Sequence, residues 1–128
     1  MMEFLGRFEA QSYALLRMVT GFLFIWHGSQ KLFGFPLEGF PNMPGFIQYG
    51  AGGIELLGGT LVMIGLLTRP AAFICSGTMA VAYWMAHGTR ALFPISNGGE
   101  LAVLFCFAFL FIAARGAGIW SIDGAARR

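Results

Sequence analysis

Four segments of the chain are almost wholly apolar, and each is close to the length of a membrane-spanning helix. A helix rises about 1.5 Å per residue, so about 20 mainly apolar residues cross the hydrocarbon core of a bilayer. The pattern predicts an all-α fold, a transmembrane four-helix bundle that forms one domain over residues 1–128, with spans at 13–33, 46–67, 70–88 and 98–114. Helices are expected because backbone polar groups in lipid have no water to bond.

The composition excludes an ordinary soluble domain. Of the 128 residues 57% are hydrophobic and 11% are charged, whereas soluble domains carry about 25% charged residues. The net charge of +2 is small and not clustered, so no nucleic-acid partner is predicted. Cys75 and Cys106 lie in apolar stretches without metal or redox spacing, and they are interpreted as small hydrophobic residues.

The basic residues predict the orientation of the bundle. By the positive-inside rule, both termini are expected in the cytoplasm, because that side holds most of the basic side chains: Arg7, Arg17, Arg69, Arg115, Arg127 and Arg128, against Lys31 and Arg90 on the other. Arg17 is expected to extend toward the cytoplasmic headgroups. The leader MMEFLGRFEAQSY carries no cleavage signal, and it is predicted to lie on the membrane surface as a short amphipathic helix.

The second half of the chain repeats motifs of the first. The pattern H-G-[ST]-x-x-L-F occurs at 27–33 and at 87–93, and a glycine pair precedes a glutamate at 52–55 and at 98–100. The repetition predicts two similar helical hairpins related by an axis along the membrane normal. The alternative is that similar helix ends reuse similar residues.

Every predicted span contributes an ionisable residue to the outward half of the bundle. A charge at the bilayer centre costs about 2.5–3.5 kcal/mol or more, so these side chains are expected to turn inward and pair. Glu55 is the strongest candidate for a functional or structurally paired role, because it lies two to three turns below the start of its helix. The candidates for ligand binding or proton relay are His27, Lys31, Glu55, His87 and Glu100.

Simpler structural roles remain open for several of these residues. Asn97 followed by Glu100 has the spacing of a capping box, and Lys31 has an alkyl stem that can reach the headgroups. Structural or secondary roles are assigned to Arg17, Arg90 and Asn97. No residue is assigned as a catalytic group.

The motifs of the first two spans resemble the DoxX family of small four-helix membrane proteins. The resemblance rests on RMVTGFLFIWHGSQKLFGF, GAGGIELLGGTLVMIGLLTRPAA, NGGEL and the closing G-x-G-x-x-S-I-D, and it extends from about residue 15 to 123. It implies a multi-pass protein of a bacterial or archaeal inner membrane. Some members resemble a membrane subunit of thiosulfate:quinone oxidoreductase, and others are associated with membrane oxidoreductase complexes, thiol homeostasis or resistance to quinone-like compounds. Carried onto this chain, the family implies roles for Arg17, His27, Lys31, Glu55 and Glu100.

Several functions stay open at this point. The first is a component of a quinone-linked redox system, and the second is a non-catalytic accessory or assembly subunit of a larger membrane redox complex. The third is a metal-binding bundle, and a transporter ranks last. The sequence has no flavin, haem or iron–sulfur motif, so no intrinsic cofactor is expected and an enzymatic role, as a subunit of a membrane oxidoreductase, is left open. Expected partners are lipid, a quinone, a redox complex and a second copy of the chain.

Overall fold

The computed structural model describes residues 2–128, and over that range the chain is helical and contains no strand. The prediction of an all-α fold is confirmed; Met1, the first residue of the predicted surface helix, lies outside the described residues. Four long helices are joined by shorter ones. A 3₁₀ helix (Glu3–Phe8) leads into α1 (Glu9–Phe33), a π-helical segment (Phe46–Ala51) leads into α2 (Gly52–Ile64), and α3 (Thr68–Ala86), α4 (Pro94–Asn97), α5 (Glu100–Arg115) and α6 (Ile122–Ala126) follow.

Glycines in the left-handed conformation end the first two long helices. Gly34 has φ 64° and donates its N–H to the carbonyl of Gln30, and Gly65 has φ 72°. The second helix therefore ends at Ile64, three residues before the predicted boundary. Helix α3 begins at Thr68, two residues before the predicted start at 70. The sequence pattern did not predict α4 or α6, which are too short to show a helical period.

The long helices form two antiparallel hairpins, α1–α2 and α3–α5, which pack against each other. Aromatic rings join the hairpins in the core. The Phe24 ring of α1 lies 4.7 Å from the Phe109 ring and 5.1 Å from the Phe105 ring of α5, measured between centroids. The outside of the helices is apolar as well, with exposed residues that include Leu57, Phe73, Leu104 and Phe107. An exposed apolar surface of this kind is typical of contact with lipid.

One helix of the described chain is long and apolar enough to cross a membrane by length and hydropathy. This helix runs over Phe46–Ile64, so it joins the π-helical segment to α2. Helix α5 has 16 residues, which is short of the usual span. The remaining three spans stay predictions.

Candidate functional site

Glycines bring α1 and α2 into direct backbone contact. A Cβ atom added at Gly28 would lie 2.6 Å from the carbonyl oxygen of Gly52 and 3.0 Å from the Cα of Leu56, and one at Gly21 would lie 2.5 Å from the carbonyl oxygen of Gly59. Small residues let helices approach closely where the surrounding solvent is apolar. This close approach decides which polar side chains of the two helices can meet.

Lys31 and Glu55 form an ion pair across this contact. The Lys31 Nζ donates to both carboxylate oxygens of Glu55, at 3.0 Å to Oε1 and 2.8 Å to Oε2. The Glu55 side chain is 2% exposed and the Lys31 side chain is 15% exposed. An ammonium has three N–H donors, so this geometry leaves one donor of Lys31 outside the pair.

A cleft of about 400 Å³ adjoins Lys31 at this end of the bundle. It lies between the end of α1, the following loop and the start of the π-helical segment. Its lining is mixed, with aromatic and apolar groups beside amides, and includes Gln30, Phe33, Phe40, Asn42, Met43 and Gln48. Sites for small organic ligands are usually clefts of about 300–1,000 Å³ with a few placed polar groups, and this cleft falls within that range.

His27 lies at the same end of α1 but does not join the ion pair. Its ring is half-buried and packs edge-to-face on Phe105, with centroids 5.7 Å apart and planes at 85°. Over residues 2–128 the ring has no side-chain hydrogen bond to another group of the chain. His27 therefore stands one helical turn from Lys31, between the pair and the aromatic core.

The other two candidates, His87 and Glu100, do not join this cluster, and neither does Arg90, which was assigned a structural or secondary role. Glu100 and Arg90 are exposed. His87 uses Nδ1 in a hydrogen bond of 3.0 Å with the backbone carbonyl of Asn97. The metal-binding alternative would use His27, Glu55, His87 and Glu100 together, and no three metal-ligating side chains of the described chain come together.

Asn97 does not form the predicted capping box with Glu100. Glu100 is the first residue of α5, and Gly99 occupies the capping position. The Asn97 Oδ1 accepts from the Gly99 N–H at 2.8 Å, while its Nδ2 donates to the Tyr83 hydroxyl at 3.0 Å and to the Ala91 carbonyl at 3.1 Å. The extra helix α4 shifts the start of α5, and Asn97 instead links α3 to the α4–α5 turn.

The expectation that Arg17 extends to the headgroups is wrong, because the residue is fully buried. Its Nη1 donates to the carbonyls of Val62 and Met63 at 2.8 and 2.7 Å, and its Nη2 donates to those of Ile119 and Trp120 at 3.3 and 2.7 Å. The guanidinium thus satisfies the free carbonyls at the end of α2, where a cation is favoured by the helix dipole. It also holds the segment after α5 in place.

Sequence reasoning missed the role of Asp123. Its carboxylate accepts from the Leu67 N–H at 3.0 Å, the Thr68 N–H at 2.9 Å and the Thr68 hydroxyl at 2.8 Å. The backbone hydrogen bond from Thr68 is the main reason that the pKa of Asp123 lies below its ordinary value. The closing S-I-D motif carried a signal for this role, because aspartate is one of the residues that accept hydrogen bonds from the free N–H groups at the start of a helix.

These features define an all-helical protein with a buried ion pair beside a cleft at one end. At the other end, Arg17 and the four backbone carbonyls that accept from it form what we call the arginine clamp. The family model of DoxX matches residues 12–88. The chain belongs to the DoxX family, which is membrane-associated.

Two relatives match most of the chain. A Haemophilus influenzae protein named "Uncharacterized protein" is 39% identical over 130 residues, which cover 95% of this chain and 96% of the relative. A Bacillus subtilis protein named "Putative oxidoreductase CatD" is 29% identical over 113 residues, which cover 85% of this chain and 82% of the relative. No solved structure matches the chain.

Proposed function

We propose that the chain is a multi-pass inner-membrane protein, a transmembrane four-helix bundle with both termini in the cytoplasm. The exposed apolar side chains of its long helices support this proposal. The charge distribution supports the orientation. The end that carries residues 2–12 and 115–128 has six basic and three acidic side chains, counting Arg17 and Arg69, and the opposite end has two basic and three acidic ones. The excess of arginine is expected on the cytoplasmic side.

Within this membrane protein, we propose that the cleft beside Lys31 binds the head of a quinone. The observation that carries the proposal is the third N–H of Lys31, which the Glu55 carboxylate does not use and which can donate to a quinone carbonyl at the cleft. The rings of Phe33 and Phe40 can pack on the planar head, and the Gln48 amide offers a second donor. The relative named as an oxidoreductase is consistent with a redox role.

The pair can also supply a proton to the bound quinone. Reduction of a quinone to a quinol adds two electrons and two protons, and the electrons must come from a partner subunit because the chain has no cofactor motif. A proton given by Lys31 to the reduced oxygen is replaced from the aqueous side, to which Lys31 is partly exposed. Glu55 holds the ammonium in place between turnovers. His27, one turn away, is the second group that can carry protons.

Quinone titration of the purified protein tests this assignment. Trp26 lies on α1, five residues before Lys31, so quenching of its fluorescence reports binding of ubiquinone-2 or menaquinone-2 in nanodiscs. A hydrogen bond from a charged donor contributes about 1.5–3 kcal/mol, so Lys31→Met is expected to weaken binding by roughly 10- to 100-fold. Gln48→Leu, which leaves the ion pair intact, is expected to weaken it by a smaller factor.

Arg90→Met is the matched control, since Arg90 is an exposed cation at the same end. Equal affinities in Lys31→Met, Gln48→Leu and Arg90→Met would contradict a site in this cleft. Absence of binding by the unmodified protein would favour the accessory-subunit alternative, in which the ion pair serves only to hold α1 and α2 together.

A further inference from the structure

Two exposed segments lie at the end of the bundle opposite the cleft. The first is the 3₁₀ helix with Met2, and the second is the chain after α5. Contacts near their bases fix them at the same end: the Arg115 Nη1 lies 2.7 Å from the Glu9 Oε1, and the Tyr13 hydroxyl donates to the carbonyl of Gly116. We call residues 2–8 and 118–128 together the arginine face.

The arginine face exposes both large apolar side chains and arginines. Phe4 is 50% exposed and Trp120 is 56% exposed, and the apolar group also includes Met2, Leu5, Phe8 and Ile122. Arg7, Arg127 and Arg128 are exposed beside them. Exposed aromatic residues next to cations are typical of the boundary between hydrocarbon and headgroups.

Arginines outnumber carboxylates on the arginine face by one. The face holds three arginines (Arg7, Arg127 and Arg128) and two acids (Glu3 and Asp123), while Glu9 and Arg115 next to it pair with each other. The Asp123 carboxylate accepts from the first amides of α3, which satisfies its oxygens without removing its charge. The face therefore carries a net surplus of one positive charge.

A small cleft lies within the arginine face. It has a volume of about 170 Å³ and is lined by Trp120, Ser121, Arg128 and neighbouring backbone. The Ser121 hydroxyl is already used, since it donates to the Gly118 carbonyl and accepts from the Gly124 N–H. The cleft therefore offers the Arg128 cation beside the Trp120 ring, a combination that suits the phosphate of a lipid headgroup at the membrane surface.

We infer that the arginine face binds anionic phospholipid headgroups of the inner leaflet, with Arg127 and Arg128 as its main charge partners. The inference rests on two parts of the proposed function, namely that the four long helices span the membrane and that both termini lie in the cytoplasm. A basic residue near an anionic leaflet contributes about 1 kcal/mol, or roughly a fivefold change in affinity. Zwitterionic lipid lacks the net charge for this attraction, so the face distinguishes the two lipid classes.

Quenching by brominated lipid tests the inference directly. In a Trp26→Phe, Trp84→Phe background Trp120 is the remaining tryptophan, and it lies on the face. The variant is reconstituted in vesicles that contain brominated phosphatidylglycerol or brominated phosphatidylcholine, and the ratio of quenching gives the relative association constant. We expect a preference for phosphatidylglycerol of roughly fivefold or more. Added salt should reduce it, since charges at the surface are screened.

Arg127→Gln with Arg128→Gln is the test variant, and Arg90→Gln at the opposite end is its control. The double variant should lose the preference, and the control should keep it. A preference near one in the unmodified background, or equal preferences in both variants, would overturn the inference. These arginines make no side-chain hydrogen bond within the described chain, so their loss does not unfold the bundle.

Alkaline carbonate extraction separates this inference from the proposed function. Protein that stays in the membrane pellet but shows no lipid preference overturns the arginine face alone. Protein that is released by carbonate overturns the transmembrane bundle itself. The quinone titration reports on the opposite end of the molecule, so its failure leaves the lipid result standing.

Discussion

Breaking the buried ion pair should destabilise the bundle far more than removing it altogether. Lys31→Met leaves Glu55, which is 2% exposed, as an unpaired charge between two closely packed helices. Loss of one partner of a buried pair costs about 3–5 kcal/mol. We expect the lower part of that range, about 3 kcal/mol, because Lys31 retains some contact with water and part of its pairing is screened.

Replacing both residues should restore most of the lost stability. Lys31→Met with Glu55→Leu removes both charges and fills the space with apolar atoms, a change that is often neutral or stabilising in buried pairs. The free energy of unfolding is measured by denaturant titration in mixed micelles for the unmodified protein, both single variants and the double variant. The coupling energy from this cycle should reach about 2 kcal/mol or more.

The exposed Arg115–Glu9 pair provides the control. Its two side chains are 36% and 69% exposed, and exposed pairs contribute about 0–1 kcal/mol. Arg115→Met should therefore cost much less than Lys31→Met. A double variant of the buried pair as unstable as either single variant would refute the idea that burial of one unpaired charge causes the loss.

Three further predictions concern the helix contact and the opposite end of the bundle. Gly28→Ala should cost about 1–3 kcal/mol from overpacking, because its Cβ would lie 2.6 Å from a backbone oxygen. Gly53→Ala, with open space around it, should be neutral or stabilising in the same unfolding titration. Equal effects of the two substitutions would argue against a tight α1–α2 contact. Arg17→Met should cost about 3 kcal/mol or more, since it removes the side-chain donor of the Met63, Ile119 and Trp120 carbonyls. Val62 loses one donor and keeps the Gly65 N–H. Arg17→Lys should recover only part of that stability, a result that an equally stable lysine variant would rule out. The Asp123 carboxylate has a pKa below its ordinary value because Thr68 donates to it. Its contribution to stability should therefore be complete above about pH 3.9 and be lost as the pH falls through the lowered folded-state pKa. Trp120 emission should follow that loss, and an unchanged acid transition in Asp123→Asn would contradict the prediction.

The sequence predicted the helical class and the need of Glu55 for a partner, and it did so for a physical reason. Apolar runs identify helices, and a glutamate within such a run needs a partner. Lys31, Arg90 and the histidines were all open as that partner, and the structure pairs Glu55 with Lys31. The positions of Asn97, Arg90 and Glu100 could not be predicted in the same way. They depend on α4, a single helical turn between Pro94 and Asn97, which moves the start of α5 and leaves Glu100 facing outward.

The position of the Arg17 side chain was predicted wrongly, because a hydropathy pattern considers only the helix that carries the residue. An arginine near a helix end usually has headgroups or water within reach. In this chain the end of α2 and the segment at 119–120 cover the guanidinium and offer it four carbonyls. Those acceptors come from distant parts of the sequence, so a local pattern cannot reveal them.

The arginine clamp also sets an order of events during synthesis. Arg17 is made early, but two of its four acceptors, the carbonyls of Ile119 and Trp120, lie about 100 residues later in the chain. Asp123, which binds the first amides of α3, is later still. While the ribosome is still producing α5, the guanidinium has only its two acceptors on α2, and the start of α3 lacks Asp123. These contacts can therefore be completed only after translation has passed residue 123.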